Sequence, residues 1–554
     1  MSLIYFILLL GGLIFFHELG HYVMARLSGV HVVTFSIGFG SPIVRWTRKG
    51  TEYVIAMIPL GGYVRLLGGE PGEEVPEELR AQSFMEQDLW RRFWIVAGGP
   101  LFNMILPFFV FFGLGLSSNQ MLPAMVGTIA PGGPADKAGL QSGDKITRIG
   151  DSQVHYWWQL VDKISGSPGE ELGIEYERGG ERFEASLVPD TVEVVRAREI
   201  GAIDTVGRIQ VSPDYALPIV WIPDGSIAHK SGLRTGDRVL AVGSQSTERW
   251  VEVAALLREQ AGRPFPVTVL RAAESLSADA RPATLELKLA AEPLTFQVVP
   301  ESGLDLGIES AEFRVNEIEA GSPAEKSGLK VGDLVLELDG RAFGSWPYFE
   351  RVLLNGGPIA HTLRVRRGGE ILDLKLLLEE RVEKTDIKID RKITLFGASN
   401  RSLYAMVSLI PNEHRFSYAV HRMVNDSWDA IRMTVLGIAG LFVGKLSYKE
   451  MGGPIMIYNL ASGTEKRGWE YFFRIMVILS INLGLINLFP IPVLDGGHIM
   501  FILLEAVRRK PISLRARQVA TYVGLGLILM LMILVFKNDI DRNWDSIIQL
   551  FKGT

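Results

Sequence analysis

The chain has 554 residues, more than one hydrophobic core usually serves, so the sequence predicts several structural units. Hydrophobic residues make up 47% of the chain, charged residues 21%, and the mean hydropathy is +0.20, which excludes a disordered chain and indicates a protein that is part membrane and part soluble. A net charge of -5 gives no basic field for nucleic acid, and the absence of cysteine excludes disulfide scaffolds, cysteine-ligated zinc and cysteine nucleophiles.

The first predicted element is a membrane helix over residues 2–25, since about 20 apolar residues cross the hydrocarbon core. It has no basic leading segment and no small-residue cleavage site before Arg26, so we expect it to be retained rather than removed as a signal peptide. Within it stands the HExxH pattern of His17, Glu18 and His21. Imidazoles four residues apart share one helix face, and ionisable groups in an apolar helix indicate function. The pattern therefore predicts a zinc site, with the two histidines as ligands and Glu18 as the base that activates water.

Residues 28–92 are predicted to be a β region on the cytoplasmic side. Alternating apolar residues give strand candidates, and Arg48-Lys49-Gly50 gives a turn between the second and third of them; the candidates are 31–37, 42–47, 52–58 and 63–67. An open edge of this sheet could capture an extended peptide by strand addition, whereas the alternative is an ordinary hairpin sheet without that role.

A second membrane helix is predicted over residues 93–116. Its segment 97–103, AGGPLFN, places two glycines inside the span. Close packing of helices through small residues explains these glycines as well as a functional role does, and both interpretations stay open.

The region after the second span contains one phrase three times. Each copy predicts a short helix that ends at a left-handed glycine, then a Gly-Asp turn and a strand; the copies are PADKAGLQSGDKI from Pro134, IAHKSGLRTGDRV from Ile227 and PAEKSGLKVGDLV from Pro323. This order resembles the PDZ domain, so we expect three tandem copies over 122–212, 216–311 and 312–400. Each groove could bind a peptide tail by strand addition or serve only as a spacer. Residues 275–282 are interpreted as a flexible insertion in the second copy.

Residues 401–469 are predicted to hold a linker and interfacial helices. The apolar run 433–443 is too short to cross a membrane, so we expect it to lie at the interface or to pack against other helices.

The third span is predicted over residues 475–489, running on apolar to Leu494, and the fourth over 518–536. Because no acid follows His21 before Glu52, the third zinc ligand must come from elsewhere in the chain. Asp495 is the one carboxylate set in apolar surroundings in the other spans, at a depth that matches the two histidines. His498 is a rival, but its place after two glycines favours an exposed position.

The HExxH of the first span and the NxxPxPxLDG motif at 487–496 together resemble the site-2 protease family of intramembrane zinc metalloproteases. The resemblance implies Zn2+ held by His17, His21 and Asp495, with Glu18 as the catalytic base. It also implies that four further residues hold the substrate and shape the loop before Asp495: Asn482, Asn487, Pro490 and Pro492. The 97–103 phrase matches a further signature of the family, and the β region resembles the membrane-associated sheet of its members.

The implied fold is a polytopic α-helical membrane protein with four transmembrane helices, a membrane-associated β-sheet and tandem PDZ domains (α+β) on the outer side. The divisions expected are 1–27, 28–92, 93–118, the three PDZ copies, 401–469, 470–500 and 518–537. Family members with outer PDZ domains usually carry two, whereas the repeated phrase predicts three. How three copies would control access of the substrate to the site is left open.

Lysine and arginine concentrate between spans one and two and between spans three and four, which predicts that these loops are cytoplasmic. Both termini and the PDZ copies then lie outside. The resemblance implies a multi-pass protein of a bacterial inner membrane, in contact with membrane lipid, with periplasmic PDZ domains and an active site toward the cytoplasm. The implied substrate is a single-span membrane protein, an anti-sigma factor already shortened on its outer side, with the PDZ array as a size filter.

Two other classes of function compete with this one. A non-catalytic membrane scaffold would use the PDZ copies to bind tails of envelope proteins, but a structural zinc site has no use for the base Glu18. A metal transporter would also place polar residues in facing spans. The outer array and the single site near one membrane face argue against it.

Overall fold

The computed structural model describes residues 2–69, 73–197, 202–260, 263–271, 294–298, 306–355, 357–384, 390–400, 402–510 and 512–552. The predicted insertion at 275–282 lies outside them. Within the described residues, four helices are long and apolar enough to cross a membrane: Ser2–Leu27, Leu89–Ser117, Thr464–Asn487 and Leu514–Trp544. The four predicted spans are confirmed as helices, although the third ends before its predicted apolar run does.

Among the described residues, seven helices form the membrane part and the segments that adjoin it. They are α1 (Ser2–Leu27), α2 (Leu89–Ser117), α3 (Arg415–Phe442), α4 (Pro454–Ser462), α5 (Thr464–Asn487, kinked at Gly468), α6 (Asp495–Arg508) and α7 (Leu514–Lys552). Short 3-10 turns cover Glu77–Gln82 and Tyr448–Glu450. The apolar run 433–443 is the last part of α3, a 28-residue helix that packs against α2 and α5.

Helices α1 and α2 touch backbone to backbone. A Cβ on Gly20 would lie 2.1 Å from the carbonyl oxygen of Gly98, so only glycine permits this approach. Leu9, Leu13 and Leu106 pack with residues of α4 and α5 into one buried core. Small residues at the crossing thus let α1 and α2 approach closely, which helices in lipid need for van der Waals packing.

The third predicted span is wrong in its extent. The prediction places 470–500 in one element, but α5 ends at Asn487 and α6 begins at Asp495. Pro490 and Pro492 lie in the turns between them, where residues without a backbone N–H interrupt the helical hydrogen bonds. Asp495 therefore opens a separate helix and does not continue a span.

Two long strands follow α1, namely β1 (Val32–Arg48) and β2 (Thr51–Leu66). The predicted turn between them is confirmed, with Lys49 and Gly50 at positive φ. The four predicted strands are the regular ends of these two, because each strand has an irregular middle. Residues 32–37 pair with 62–66 and also with 52–55, while 42–48 pair with 51–56.

Three units of similar layout lie between residues 124 and 398, each with its own buried core. The predicted glycine caps are confirmed, because Gly139, Gly232 and Gly328 have φ of 78°, 100° and 81°. Each copy continues into a strand as predicted: Lys145–Ile149, Arg238–Val242 and Leu334–Leu338. Whether the domain boundaries fall at the predicted residues stays a prediction.

The remaining elements of the units flank these strands. Unit one has helices Pro134–Lys137 and Trp157–Ser165 and strands Thr128–Ile129, Ser152–Gln153, Leu172–Arg178, Glu181–Leu187, Asp190–Ala197, Ala202–Arg208 and Val211–Ser212. Unit two has helices Ile227–Lys230 and Trp250–Glu259 and strands Val220–Trp221, Gln245–Ser246, Phe265–Leu270 and Leu294–Val298. Unit three has helices Pro323–Lys326 and Trp346–Asn355 and strands Glu317–Ile318, Ala360–Arg367, Glu370–Leu377, Glu379–Lys384, Asp390–Leu395 and Ala398–Ser399.

One ion pair recurs in every unit. The aspartate of the Gly-Asp turn, about 1% exposed, accepts hydrogen bonds from an arginine 34 residues later, and the same arginine donates to the carbonyl of the capping glycine. The pairs are Asp144–Arg178, Asp237–Arg271 and Asp333–Arg367. This clamp joins the turn to the neighbouring strand of the same sheet.

Short pairings tie the units to each other and to the membrane part. Strand Gln120–Met121 pairs with Ile410–Pro411, and Asp214–Ala216 pairs with Tyr404–Met406. Within unit two, Val220–Trp221 pairs with Glu309–Ser310. Unit one rests on α3, where the ring of Trp158 lies 4.2 Å from that of His421. The array is thus attached to the helices at both of its ends.

Candidate active site

Three side chains from the two ends of the chain meet between α1 and α6. Nε2 of His17 lies 3.2 Å from Oδ2 of Asp495, and Nε2 of His21 lies 3.5 Å from Oδ1 of the same carboxyl group. The three side chains are 12%, 15% and 19% exposed. Among the described residues they form a group whose possible ligand atoms all lie within 4.8 Å of one another, which is close enough to share one metal ion.

The chemistry of these donors fits zinc. The other ring nitrogens point away from the centre, where Nδ1 of His21 lies 2.9 Å from the carbonyl oxygen of Ile95 and Nδ1 of His17 lies 3.0 Å from the amide of Asn103. Both Nε2 atoms therefore face the carboxyl group. Two imidazoles and one carboxylate are the ligand types of a catalytic zinc site with an open position.

The glycines of α2 leave space for the side chains of this site because they have no Cβ atoms. A Cβ on Gly99 would lie 2.3 Å from Nε2 of His21 and 2.8 Å from Cε1 of His17. Each of the two interpretations of the 97–103 phrase therefore applies to a different glycine. Gly98 serves the contact with the backbone of Gly20, and Gly99 leaves space at the histidine rings.

Glu18 lies in the same turn of α1 as the histidines and is only 9% exposed. The sheet covers it, since a Cβ on Gly62 would lie 2.9 Å from Cγ of Glu18 and 2.7 Å from the carbonyl oxygen of Ser36. Within the described part of the chain, residues 62–66 of β2 pair with β1 on one side only. An edge with unpaired backbone groups thus begins beside Glu18.

The four predicted substrate-binding residues occupy different places. Nδ2 of Asn487 lies 3.5 Å from Nε2 of His17, so this residue belongs to the cluster. Asn482 is one and a half turns earlier on α5 and lines a cavity of about 1070 Å³ between α2, α3 and α5. Pro490 is exposed, and the ring of Pro492 packs close to Gly524 of α7. Only Asn487 is brought to the histidines.

Asp495 is placed by the first turn of α6. A Cβ on Gly496 would lie 2.2 Å from the carbonyl oxygen of Phe489, and one on Gly497 would lie 2.4 Å from that of Ile491. These two glycines let the start of α6 pack on the backbone of the preceding loop. The rival ligand His498 is half-buried rather than exposed, and its Nδ1 lies 3.2 Å from Nη2 of Arg517, so it belongs to a separate contact.

Sequence reasoning missed Gly62 and gave no role to Asn103. A pair of glycines inside a strand pattern, Gly61-Gly62, is the signal for close backbone approach that could have pointed to the first. A fully buried asparagine in an apolar helix is the signal for the second.

The family model described as Peptidase family M50 matches residues 5–531. A protein named "Putative zinc metalloprotease" from Vibrio cholerae is 28% identical over 552 residues, covering 98% of each chain. The "Regulator of sigma-E protease RseP" of Escherichia coli is 28% identical over 549 residues, covering 97% of this chain and 98% of the relative.

A solved structure was also matched, the crystal structure of a PDZ domain protein from Parabacteroides distasonis. It is 8% identical, covers 53% of this chain and 97% of its own, and has a TM-score of 0.12, which carries no argument about the fold. The family model, by contrast, spans α1, the units and α6 in one match. The chain belongs to Peptidase family M50 and is a protease.

Proposed function

We propose that this protein is a zinc metalloendopeptidase that cleaves single-span membrane proteins within or near the membrane. The observation that carries the proposal is the cluster of His17, His21 and Asp495 beside the buried Glu18. Membership of a peptidase family favours this function over the scaffold and the transporter.

The metal assignment is His17, His21 and Asp495. Its support is the distance of each Nε2 atom from the carboxyl group and the engagement of both Nδ1 atoms by α2. Elemental analysis of purified wild type and Asp495→Asn tests it, with about one zinc per chain expected in the wild type and clearly less in the variant. Undiminished zinc in Asp495→Asn, together with loss in His498→Ala, would assign the third ligand to His498 instead.

When bound, zinc polarises the scissile carbonyl and makes water acidic enough to act as a nucleophile near neutral pH. The side chains divide the remaining work. Glu18 takes a proton from the attacking water and passes it to the leaving amine, a transfer that its burial beside the sheet shields from bulk solvent. The amide of Asn487, near His17, is placed to donate to the substrate carbonyl.

A transmembrane helix hides its peptide bonds in its own hydrogen bonds, so the substrate must be unwound before cleavage. The edge at residues 62–66 suits capture of the unwound segment by strand addition, because it begins where Gly62 touches Glu18. Three further residues are proposed to hold the substrate and to shape the loop before Asp495. Asn482 would do so from the cavity that it lines, and Pro490 and Pro492 from the loop itself.

The substrate class is proposed to be an anti-sigma factor in a bacterial inner membrane. Relatives of this chain are named regulators of sigma-E protease, and their likeness covers nearly the whole of both chains. In the proposed orientation, both termini and the units lie in the periplasm and the zinc site lies toward the cytoplasm.

The three units are proposed to be PDZ domains that act as a size filter. Their supporting features are the repeated glycine cap, strand and clamp, and their attachment at both ends beside α2 and α3. Replacing residues 122–400 by a flexible linker should leave cleavage intact and extend it to substrates with bulky outer domains. A linker variant that folds and holds zinc yet cuts nothing would make the array a required docking platform.

The direct test is cleavage of a tagged single-span protein by the purified enzyme in detergent. We expect a cut within the membrane segment that a zinc chelator abolishes and added zinc restores. Cleavage that persists both with the chelator and in Glu18→Gln would contradict the proposed chemistry.

A further inference from the structure

The fully buried asparagine of α2 has half of its side-chain amide engaged and half without a partner. Asn103 is 0% exposed, and its Nδ2 lies 3.0 Å from Nδ1 of His17. Its Oδ1 is also buried and has no hydrogen-bond partner among the described residues. The two ends of the amide are thus unequal, because one meets the histidine and the other is a buried acceptor without a partner, a rare arrangement that asks for an explanation.

Three positions on one face of α2 meet the two histidines. Ile95, Gly99 and Asn103 recur every fourth residue, so they lie in a row along the helix. Ile95 offers its carbonyl to His21, Gly99 leaves room for the rings, and Asn103 meets His17. The face is therefore built around the imidazoles rather than around lipid.

The neutral imidazole carries one proton, on either Nδ1 or Nε2, and only the nitrogen without the proton can bind a metal. His21 is fixed by the carbonyl of Ile95, which can only accept, so its proton is on Nδ1 and Nε2 is free. His17 needs the same arrangement, because its Nε2 is the atom that faces Asp495. It therefore needs an acceptor beside Nδ1.

We propose that Asn103 is a positioning residue that turns its amide oxygen to Nδ1 of His17, accepts the proton there and thereby holds Nε2 ready for zinc. The two ends of a side-chain amide have nearly the same shape, so a half-turn brings Oδ1 to the place of Nδ2 without moving the backbone. This turn gives the unpartnered oxygen its donor. The outer ligands of zinc-bound histidines commonly work in this way.

The surroundings hold Asn103 firmly. Pro107 has no N–H to give to the carbonyl of Asn103 four residues earlier, and Oγ of Ser480 on α5 donates to that carbonyl over 2.9 Å instead. Gly484 lets α5 approach, since a Cβ there would lie 3.2 Å from Cβ of Asn103. The amide can therefore turn about its own bond, but the residue cannot move away from His17.

This inference rests on the proposed function, since it takes His17 as a zinc ligand. The measurement is the zinc affinity of full-length purified protein, by competition with a chelating dye, supported by the visible spectrum of the cobalt-loaded form. His17→Ala tests the assignment on which the inference rests. If that variant keeps wild-type affinity, the ligand set is wrong whatever Asn103 does.

Two variants of near-equal size separate an acceptor role from a packing role. Asn103→Leu removes the acceptor and fills the space with an apolar group, whereas Asn103→Asp keeps only acceptors. We expect affinity about 10- to 100-fold weaker in Asn103→Leu and equal to or tighter than wild type in Asn103→Asp. Asn103→Ala, which also lacks an acceptor, replaces the leucine variant if that one does not fold.

The control is Gly113→Ala, a substitution in the same helix whose added Cβ has no atom within 4 Å among the described residues and which leaves Asn103 and its partners untouched. Its zinc affinity should remain close to that of the wild type. A residue that only packs would give the opposite order, because a buried charge disturbs an apolar helix contact more than leucine does. Affinity in Asn103→Leu equal to or above that in Asn103→Asp overturns the proposal.

Discussion

The membrane part and the three units between α2 and α3 are held together by contacts of different sequence separation. In each unit the defining contact joins an aspartate to an arginine 34 residues later, so one phrase and one spacing specify it. The candidate active site joins His17 of α1 to Asn487 and Asp495, almost a whole chain length away, with α2 between them. We therefore expect that one unit can unfold without the others, whereas the geometry of the site is lost if any of three distant segments is displaced.

The first prediction separates chemistry from assembly at the site. Glu18→Gln keeps the size of the side chain and removes the proton acceptor, so cleavage should fall by about 100-fold to 10,000-fold. Zinc content should not change, because Glu18 is outside the proposed ligand set. Turnover of a tagged substrate and elemental analysis of the same preparation measure both, and retained turnover would mean that another group acts as the base.

The second prediction tests whether α2 must leave room for the histidines. Gly99→Ala would place a Cβ 2.3 Å from Nε2 of His21, so zinc affinity should weaken by about 100-fold. Gly113→Ala is the matched control, since a Cβ at Gly113 of the same helix has no atom within 4 Å in the described structure. Equal zinc affinity in the two variants would show that zinc binding does not require α2 to leave space at the histidines.

The third prediction breaks one unit and leaves the site alone. Asp144→Ala removes an acceptor that is 1% exposed and takes from Arg178 both of its hydrogen bonds to that carboxyl group, so unit one should lose about 2 kcal/mol of stability. Hydrogen exchange should show faster opening of strands Lys145–Ile149 and Leu172–Arg178, with zinc content unchanged.

The control for the clamp is the exposed pair Arg148–Glu175 of the same sheet, at 42% and 39% exposure. Glu175→Ala should cost less than about 1 kcal/mol, because exposed ion pairs contribute little. If hydrogen exchange in unit one is as fast in Glu175→Ala as in Asp144→Ala, the recurring ion pair does not stabilise the unit more than an exposed pair does.

The fourth prediction concerns pH and unit three. Burial raises the pKa of Glu312 to about 7, assisted by the negative charge of Asp214, although a hydrogen bond from Tyr404 opposes the rise. The folded unit therefore holds a proton that the unfolded chain, with a pKa of 4.5, releases. This contribution is complete below pH 4.5 and is lost as the pH rises through 7, which should lower the free energy of unfolding by on the order of 1 kcal/mol between pH 6 and 8.

Calorimetry of wild type and Glu312→Gln over that range measures the effect. Glutamine stays neutral, so the variant should show a smaller loss of stability with rising pH and a higher unfolding temperature than wild type at pH 8. Parallel pH profiles of the two proteins would show that Glu312 does not carry the dependence.

The sequence predicted what local chemistry specifies. His17, Glu18 and His21 stood out because they are ionisable groups in an apolar helix, and Asp495 stood out for the same reason. The glycine caps of the three units followed from a repeated phrase, and their positive φ values confirm them. The roles of these four site residues remain proposals that the zinc and turnover measurements test.

Contacts between segments that are distant in the chain explain what the sequence did not predict. Gly62 matters because the sheet folds back onto Glu18, and no spacing within either segment encodes that contact. The start of α6 at Asp495 depends on Gly496 and Gly497 packing on the loop backbone, so the family resemblance implied a loop before Asp495 but not a new helix. His498 is half-buried because Arg517 of α7 reaches it from beyond the motif.

The separation of the proposed ligands along the chain also orders events during synthesis. A ribosome that adds about 5 to 20 residues per second makes the histidines of α1 roughly half a minute to a minute and a half before it reaches Asp495. During that time α1 and α2 can enter the membrane with the base in place but without the third proposed ligand. On the proposed ligand set, the nascent chain therefore holds its complete metal site only after Asp495 has been made.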